Sequence, residues 1–437
     1  MQLFDTIRSA WKITELRKKI LFTLLIIFIF RLGSYIPVPF IDTAALQADM
    51  SSALSGGTTL FSYLSILTGG ALEYGAIFAM SVTPYINSSI IVQLLQVAIP
   101  ALERLAKEGE EGRKKLAKIT RYVTVALAVL QGIAYYFYLR NSGSGYLEYG
   151  RYSPIGAQIF TAIIIILCFT AGSALMMWFG EQIDDKGVGN GISILLFAGI
   201  LSRGPRAAAS LWYNAVDLGK YIPVIIILLV FLLVIAFIVF MTAAERRIPV
   251  QYAKKVVGRK MYGGQNTHLP IQVNMSGVLP IIFASSILAI PSTILAFIGE
   301  NSTSSWAKVL GLFSFEKPFY AVLYLLMIIF FAYFYVTIQY NPVEMANNLR
   351  KNAGVIPGIR PGKPTSDFIG KIISRITLIG ALFLGVIALL PIVVGSIGGI
   401  SVSLGGTSVL ILVGVALDTV KAIESQMMMR YYKGFLD

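Results

Sequence analysis

Asp418, Lys421 and Glu424 are the residues best placed for acid–base or ion-coupling chemistry beside an apolar run. Ionisable groups within a membrane are costly, and where they occur they mark proton relays, pumps and ion paths. These three stand near the inner edge of the last apolar run, and Arg31 stands near the outer edge of the first. No carboxylate falls near the middle of the second to ninth runs. The lone Cys168 lies within an apolar run, cannot form an internal disulfide and has no ligand companions. The single His268 sits in a polar loop and reads as a loop-packing residue. GVGNGIS, residues 187–193, looks like a nucleotide loop, but it follows no strand and leads straight into an apolar run. It reads as a flexible, close-packed entry to a helix. There is no zinc helix, serine elbow or phosphate loop. The residues point to no enzyme, no cofactor and no metal, so energy for any work falls to a partner.

What must position such residues is a membrane protein. The chain of 437 residues is 56% hydrophobic and 13% charged, against roughly a quarter charged in soluble domains. Apolar runs predict ten spans, at roughly 20–36, 76–97, 119–139, 156–179, 190–209, 222–242, 276–298, 319–339, 369–394 and 405–425. The fifth is weak, continuously apolar only from Ile192 to Leu201. Of the 36 Lys and Arg residues, the loops on one side hold only Arg140, Arg151, Arg203, Arg206, Lys220, Lys308 and Lys317. Arg31 lies in the first span and 28 fall on the other side. Positive charge collects in the cytosol, so both termini are expected there. The opening segment is charged throughout and shows no small-residue cleavage site. With Leu3, Phe4, Ile7 and Trp11 on one face, it reads as a surface-lying or plainly solvated helix.

Four segments interrupt that pattern. Residues 243–275 and 341–368 are long, basic and rich in turn residues, as projecting docking loops are. RRIPVQYAKK and THLPIQV alternate as a β-ribbon would. The second span carries Ser81, Thr83, Pro84, Asn87, Ser88, Ser89 and Gln93, which must face protein or a water-filled cavity. Proline is expected to open this helix in its middle. Val82, Ile86 and Ile90 recur on one face, either packing on a neighbour or lining a path. LFSYLSILTGG, residues 60–70, is an apolar run closed by a glycine pair, far shorter than the ~20 residues a span needs. It reads as a re-entrant helix beginning on the outer side, or as a helix resting on the outer leaflet. Ten spans, broken helices and a short unspanning segment suit a passive polypeptide channel or an ion-coupled transporter. The transporter requires midplane carboxylates or an ion cage, and an intramembrane protease requires a catalytic pair. The residues supply neither.

FRLGSYIPVP, LTGGAL, TPYINSSIIVQLL, EGEEGRKKLAKITRY, GEQIDDKGVGNGISILLFAGI, AERRIPVQYAKK, THLPIQVNMSGVLPIIFASSI, NPVEMANNLRKNAGVIPGIRPG and GGTSVLILVGVALD follow one another along the chain. Together they resemble the SecY family, the large subunits of the bacterial protein-conducting channel, from about residue 8 to 435. The resemblance implies an all-α integral membrane protein. Its ten transmembrane helices form two inverted five-helix halves around an hourglass pore. Here these are residues 20–209 and 210–425, flanked by a cytosolic or interfacial helix at 1–19 and a tail at 426–437. It implies a pore ring at Val82, Ile86, Ile192, Leu196, Ile282 and Ile411, with mild departures from isoleucine at Val82 and Leu196. A plug over about 58–70, with Leu60, Phe61, Leu64, Leu67, Gly69 and Gly70, would fold back under that ring. A lateral gate would involve Asn87, Gln131, Ser285, Ser286 and Ile290. Docking of the SecA ATPase and the ribosome would use Arg259, Lys260 and Arg360. The family further implies SecE and SecG subunits, signal sequences and translocating polypeptides as cargo, contact with membrane lipids and a place in the bacterial plasma membrane. The short ending MMMRYYKGFLD puts any docking by a basic tail in doubt.

Overall fold

The computed structural model describes residues 11–48, 65, 68–141, 146–147, 154–216, 219, 221–252, 255–257, 260–262, 266–298, 313, 317–398 and 406–433. Its helices are α1 (Thr14–Gly33), α2 (Thr83–Ala98), α3 (Pro100–Lys107), α4 (Glu110–Asn141), α5 (Ile155–Lys186), α6 (Gly191–Leu201), α7 (Gly204–Val216), α8 (Tyr221–Ala243), α9 (Leu279–Ile298), α10 (Pro318–Gln339), α11 (Pro342–Lys351), α12 (Lys363–Gly398) and α13 (Gly406–Lys433). Among the described residues, six helical stretches are long and apolar enough to cross a membrane: Glu110–Arg140, Ile155–Lys186, Gly191–Val216, Val224–Ala243, Pro318–Lys351 and Lys363–Leu390. Counted as one broken span, the bent pair α2–α3 makes a seventh. Helices α1, α9 and α13 lie where the first, seventh and tenth runs are expected.

Sequence chemistry explains the breaks. The 103° bend between α2 and α3 falls at Ile99–Pro100. Proline pushes its predecessor out of the helical region, and Ile99 is extended at φ −112 and ψ 112. Pro100 then opens an amphipathic helix bearing an exposed Lys107–Glu103 pair at 2.6 Å. The second span begins later than the apolar run suggests: residues 77–82 are turns, and α2 starts at Thr83. Pro84 therefore occupies the first helical turn rather than the middle of the helix. Its missing N–H leaves no bond unmade there. The weak fifth span resolves into α6, matching the apolar stretch from Ile192, and the more polar α7 beyond a break at residues 202–203.

The GVGNGIS entry is a packing device. Asn190 caps α6 by accepting from the Ser193 N–H at 3.0 Å, and Asp184 Oδ1 accepts the Gly191 N–H at 2.7 Å. A Cβ on Gly191 would run into the Gly180 carbonyl, so only glycine lets α6 start this close to α5.

Packing falls into connected layers. Tyr135, Leu139, Ile165 and Phe169 form a core between α4 and α5. Ile281, Leu288, Ile328, Phe331, Leu384, Ile387 and Leu410 form another among α9, α10, α12 and α13. On α8, Val234 and Ile238 are buried while Ile225, Leu229, Leu232, Leu233 and Phe240 are exposed, as a lipid-facing span requires.

The long loop after α8 carries the expected ribbon. Strand β1 (Glu245–Tyr252) pairs antiparallel with β4 (Asn266–Gln272), Ile248 opposite Leu269 and Pro249 opposite His268. β1 also pairs with β5 (Gly354–Val355). A second hairpin joins β2 (Lys255–Val257) to β3 (Lys260–Tyr262). Ile248 and Val250 turn inward onto Leu349, Ile369 and Ile373. Unlike contacts inside lipid, these remove surface from water, contributing about 1.5–3 kcal/mol per side chain.

Candidate functional site

The six aliphatic side chains expected at the ring come from four separated stretches of chain and meet in one cluster. Val82, Leu196 and Ile411 are buried members of it, and Ile86, Ile192 and Ile282 pack against it. Local structure places each. Val82 precedes α2 at φ −90 and ψ 6, after Ser81 at φ +49, a left-handed position uncommon for a non-glycine residue. The Ile86 N–H bonds the Val82 carbonyl at 3.0 Å, setting the two side chains one turn apart. Ile192 and Leu196 sit one turn apart on α6. Ile282 lies in the first turns of α9 and Ile411 in those of α13. Phe30 and Ile26 of α1 and Phe179 and Ile183 of α5 back the cluster. Helices from both ends of the sequence therefore converge on it. The six carry no charge or hydrogen-bonding side chain, so a constriction made of them repels water and offers ions nothing to bind.

Leu60, Phe61, Leu64 and Leu67 lie outside the described residues. Gly69 and Gly70 do not: both are left-handed, at φ +65 and +88, turning the chain before residues 71–82. The chain then passes the C-terminal end of α1, where the Val38 N–H bonds the Gly75 carbonyl and the Ile77 N–H bonds the Ile36 carbonyl, both at 3.0 Å.

Sequence reasoning did not single out what surrounds this turn. Arg31 Nη1 donates to the Gly69 carbonyl at 3.2 Å, while the Ser202 hydroxyl beside it donates to the Gly199 carbonyl at 2.6 Å. Glu73 forms ion pairs with Arg203 and with Arg206, the latter at 2.9 Å. Each arginine reads in sequence as one more outer-loop charge, and the partner stands some 130 positions away.

At the expected lateral gate, α9 touches both α2 and α4. Asn87 is half-buried and its Oδ1 is buried with no hydrogen bond among the described residues. Gln131 is half-buried on α4 and Ser286 on α9. Ser285 is buried and donates to the Ile282 carbonyl at 2.9 Å. Ile290 belongs to α9, but its side chain lies outside the described residues. Across the seam, Ile90 of α2 is buried against the α9–α10 core, with Ile86 and Leu94 beside it. Where α2 meets the α9–α10 core the contact is thus aliphatic.

Of the residues expected to dock a partner, Arg259 lies outside the described residues, and Lys260 opens β3 with its side chain outside them. Arg360 is exposed on a turn between left-handed Gly358 and Gly362, and its carbonyl accepts Thr365 Oγ1 at 2.8 Å. Beside the ribbon is a cavity of about 270 Å³ lined by Glu245, Gln272, Met275, Tyr340, Met345 and Ile373.

Fold and site define a polytopic membrane protein whose helices converge on an uncharged aliphatic cluster, beside a glycine turn. The SecY family model matches residues 76–420, and the chain belongs to that family. It is 46% identical over 436 residues to the protein translocase subunit SecY of Streptomyces galbus, covering 98% of each chain. It is 43% identical over 440 residues to that of Mycobacterium bovis, again covering 98% of each. Among solved structures, a protein-conducting channel superposes with a TM-score of 0.62 at 16% identity, over 94% of this chain and 92% of that one. A SecY whose plug domain stabilises the closed state superposes at 0.61 and 15% identity, with the same coverage.

Proposed function

We propose that this chain is the central subunit of a bacterial protein-conducting channel. Its work is to pass unfolded secretory polypeptides across the plasma membrane and to release membrane segments sideways between α2–α4 and α9–α10. The observation that carries this reading is the meeting of Val82, Ile86, Ile192, Leu196, Ile282 and Ile411 in or against one apolar cluster. At rest these six form the seal, with residues 58–70 as plug beneath them. Such a ring deforms around a passing chain and closes again as water is expelled. Asn87, Gln131, Ser285, Ser286 and Ile290 lie along the gate, where a weakly held seam lets an apolar signal sequence compete for the helix contacts.

In this reading both termini are cytosolic and the subunit performs no catalysis. SecE and SecG complete the channel, and the SecA ATPase or the ribosome drives it. Arg259, Lys260 and Arg360 belong to the docking face. The exposed placement of Arg360 supports this, since basic loops suit phosphate surfaces and acidic protein surfaces alike. The test is crosslinking from a stalled secretory chain to photoreactive groups at positions 82, 192 and 282. Crosslinks at all three are expected. Labelling confined to lipid-facing controls such as Leu229 would overturn the reading.

A further inference from the structure

The ring and plug leave unexplained a set of polar contacts at the outer end of the re-entrant turn. Glu73 sits on the returning limb with its side chain 8% exposed, and Arg203, at the break between α6 and α7, is 7% exposed. The two form an ion pair through Arg203 Nη2 and Glu73 Oε1. Ser65, within the re-entrant segment, ties into both: its Oγ donates to Glu73 Oε1 at 2.7 Å and accepts from Arg203 Nη2 at 2.8 Å. Arg206 supplies a second arm from α7, donating to Glu73 Oε2 at 2.9 Å and to the Tyr74 hydroxyl at 2.5 Å. That arm is 57% exposed. Arg31 of α1 holds the neighbouring Gly69 carbonyl at 3.2 Å.

We propose that Glu73, gripped by Arg203 and Arg206, is the latch that holds the re-entrant segment in its sealing position and sets how readily the channel opens. The inference rests on the plug reading above. An apolar stopper against an aliphatic ring is held by contact alone, which has no direction and permits sliding. Charge-assisted hydrogen bonds fix one geometry. A buried ion pair also resists partial separation, because moving one partner leaves the other charge buried and uncompensated. The segment is therefore either latched or displaced far enough for water to reach Glu73. The half-exposed Arg206 arm gives water its way in. Arg203 Nε, buried and without a hydrogen-bond partner among the described residues, leaves the guanidinium under-satisfied and the latch releasable. These are positioning residues, acting on the pore through the segment they hold.

The test uses the translocase reconstituted with its partner subunits in planar bilayers. Glu73→Gln keeps the shape and removes the charge. Its resting open probability should rise at least about tenfold, since one member of a buried pair is lost. Glu73→Asp should recover most of the seal. In vesicles, export of a cargo with a weakened signal sequence should rise relative to one with an intact signal. A folding defect would lower both. Resting conductance within twofold of the parent for Glu73→Gln, at equal protein level, overturns the latch. Should that variant fail to accumulate, Arg206→Ala decides: a clear rise in resting conductance supports the latch and no rise overturns it. Deletion of residues 60–67 runs in parallel. If the deletion leaks and Glu73→Gln does not, the latch fails and the plug reading stands. If the deletion is as tight as the parent, the plug reading fails and the latch with it.

Discussion

Ser88 of α2 donates its hydroxyl to the backbone carbonyl of Thr120 on α4, at 2.7 Å, with Ser88 wholly buried. This ties α2 to α4 on one side of the proposed gate, as the 5.7 Å edge-on contact of Phe283 with Phe331 ties α9 to α10 on the other. Contacts between the two pairs are sparser and mainly aliphatic. Two rigid pairs with a weaker seam between them is the construction a sideways opening needs. Ser88→Ala should lower stability by about 1 kcal/mol. Ser88→Leu should lower it further, by about 1–3 kcal/mol from overpacking. Thermal unfolding of the purified complex reads both. Equal stability of Ser88→Leu and the parent would contradict the close packing of α2 on α4.

Ring substitutions test the seal directly. Ile86→Asn and Ile282→Gly, alone and together, should raise resting ion conductance, the double change by at least about tenfold, because a polar or widened constriction stays wet. They should also relax the preference for intact signal sequences. Unchanged resting conductance in planar bilayers would remove these residues from the ring.

Arg360 offers a cleaner separation of roles. Its side chain is exposed and its turn is held by backbone geometry, with the Thr365 hydroxyl on its carbonyl. Arg360→Glu should leave the turn folded and reduce motor-driven secretion at least about fivefold, through charge repulsion at the docking face. Membrane insertion should suffer less. Equal loss of both activities would indicate a folding defect instead.

Two glycines near and within α5 predict opposite outcomes for the same change. Gly191→Ala places a methyl group against the Gly180 carbonyl. It should lower stability by about 1–3 kcal/mol and reduce the amount of protein in membranes. Gly156→Ala, in the first turn of α5 with open space around it, should be neutral or stabilising by about 0.4–1 kcal/mol. Thermal unfolding of the two variants beside the parent checks both.

What the sequence determined by itself is what short-range pattern and total charge encode. Apolar runs marked the spans, because a bilayer demands continuous stretches with satisfied backbones. The alternation in RRIPVQYAKK and THLPIQV announced β1 and β4, since a strand facing a core on one side repeats every second residue. The close-packed entry to α6 was legible in its glycines, while the Asn190 cap and the Gly180 contact appear only in the structure. Pro84 was legible as a helix breaker, yet its position at the start of α2 was not. The turns of residues 77–82 are as apolar as a helix, and composition cannot tell them apart.

Tertiary structure alone decided the rest. Spacing along the chain gives no reason for Val82, Leu196 and Ile411 to meet; they do so because α1, α5, α6 and α13 converge. Nor does it reveal that Arg203 and Arg206 turn to Glu73 rather than to water. An ion pair is specified by distance and burial in three dimensions, and the chain between its members carries no periodic trace of it.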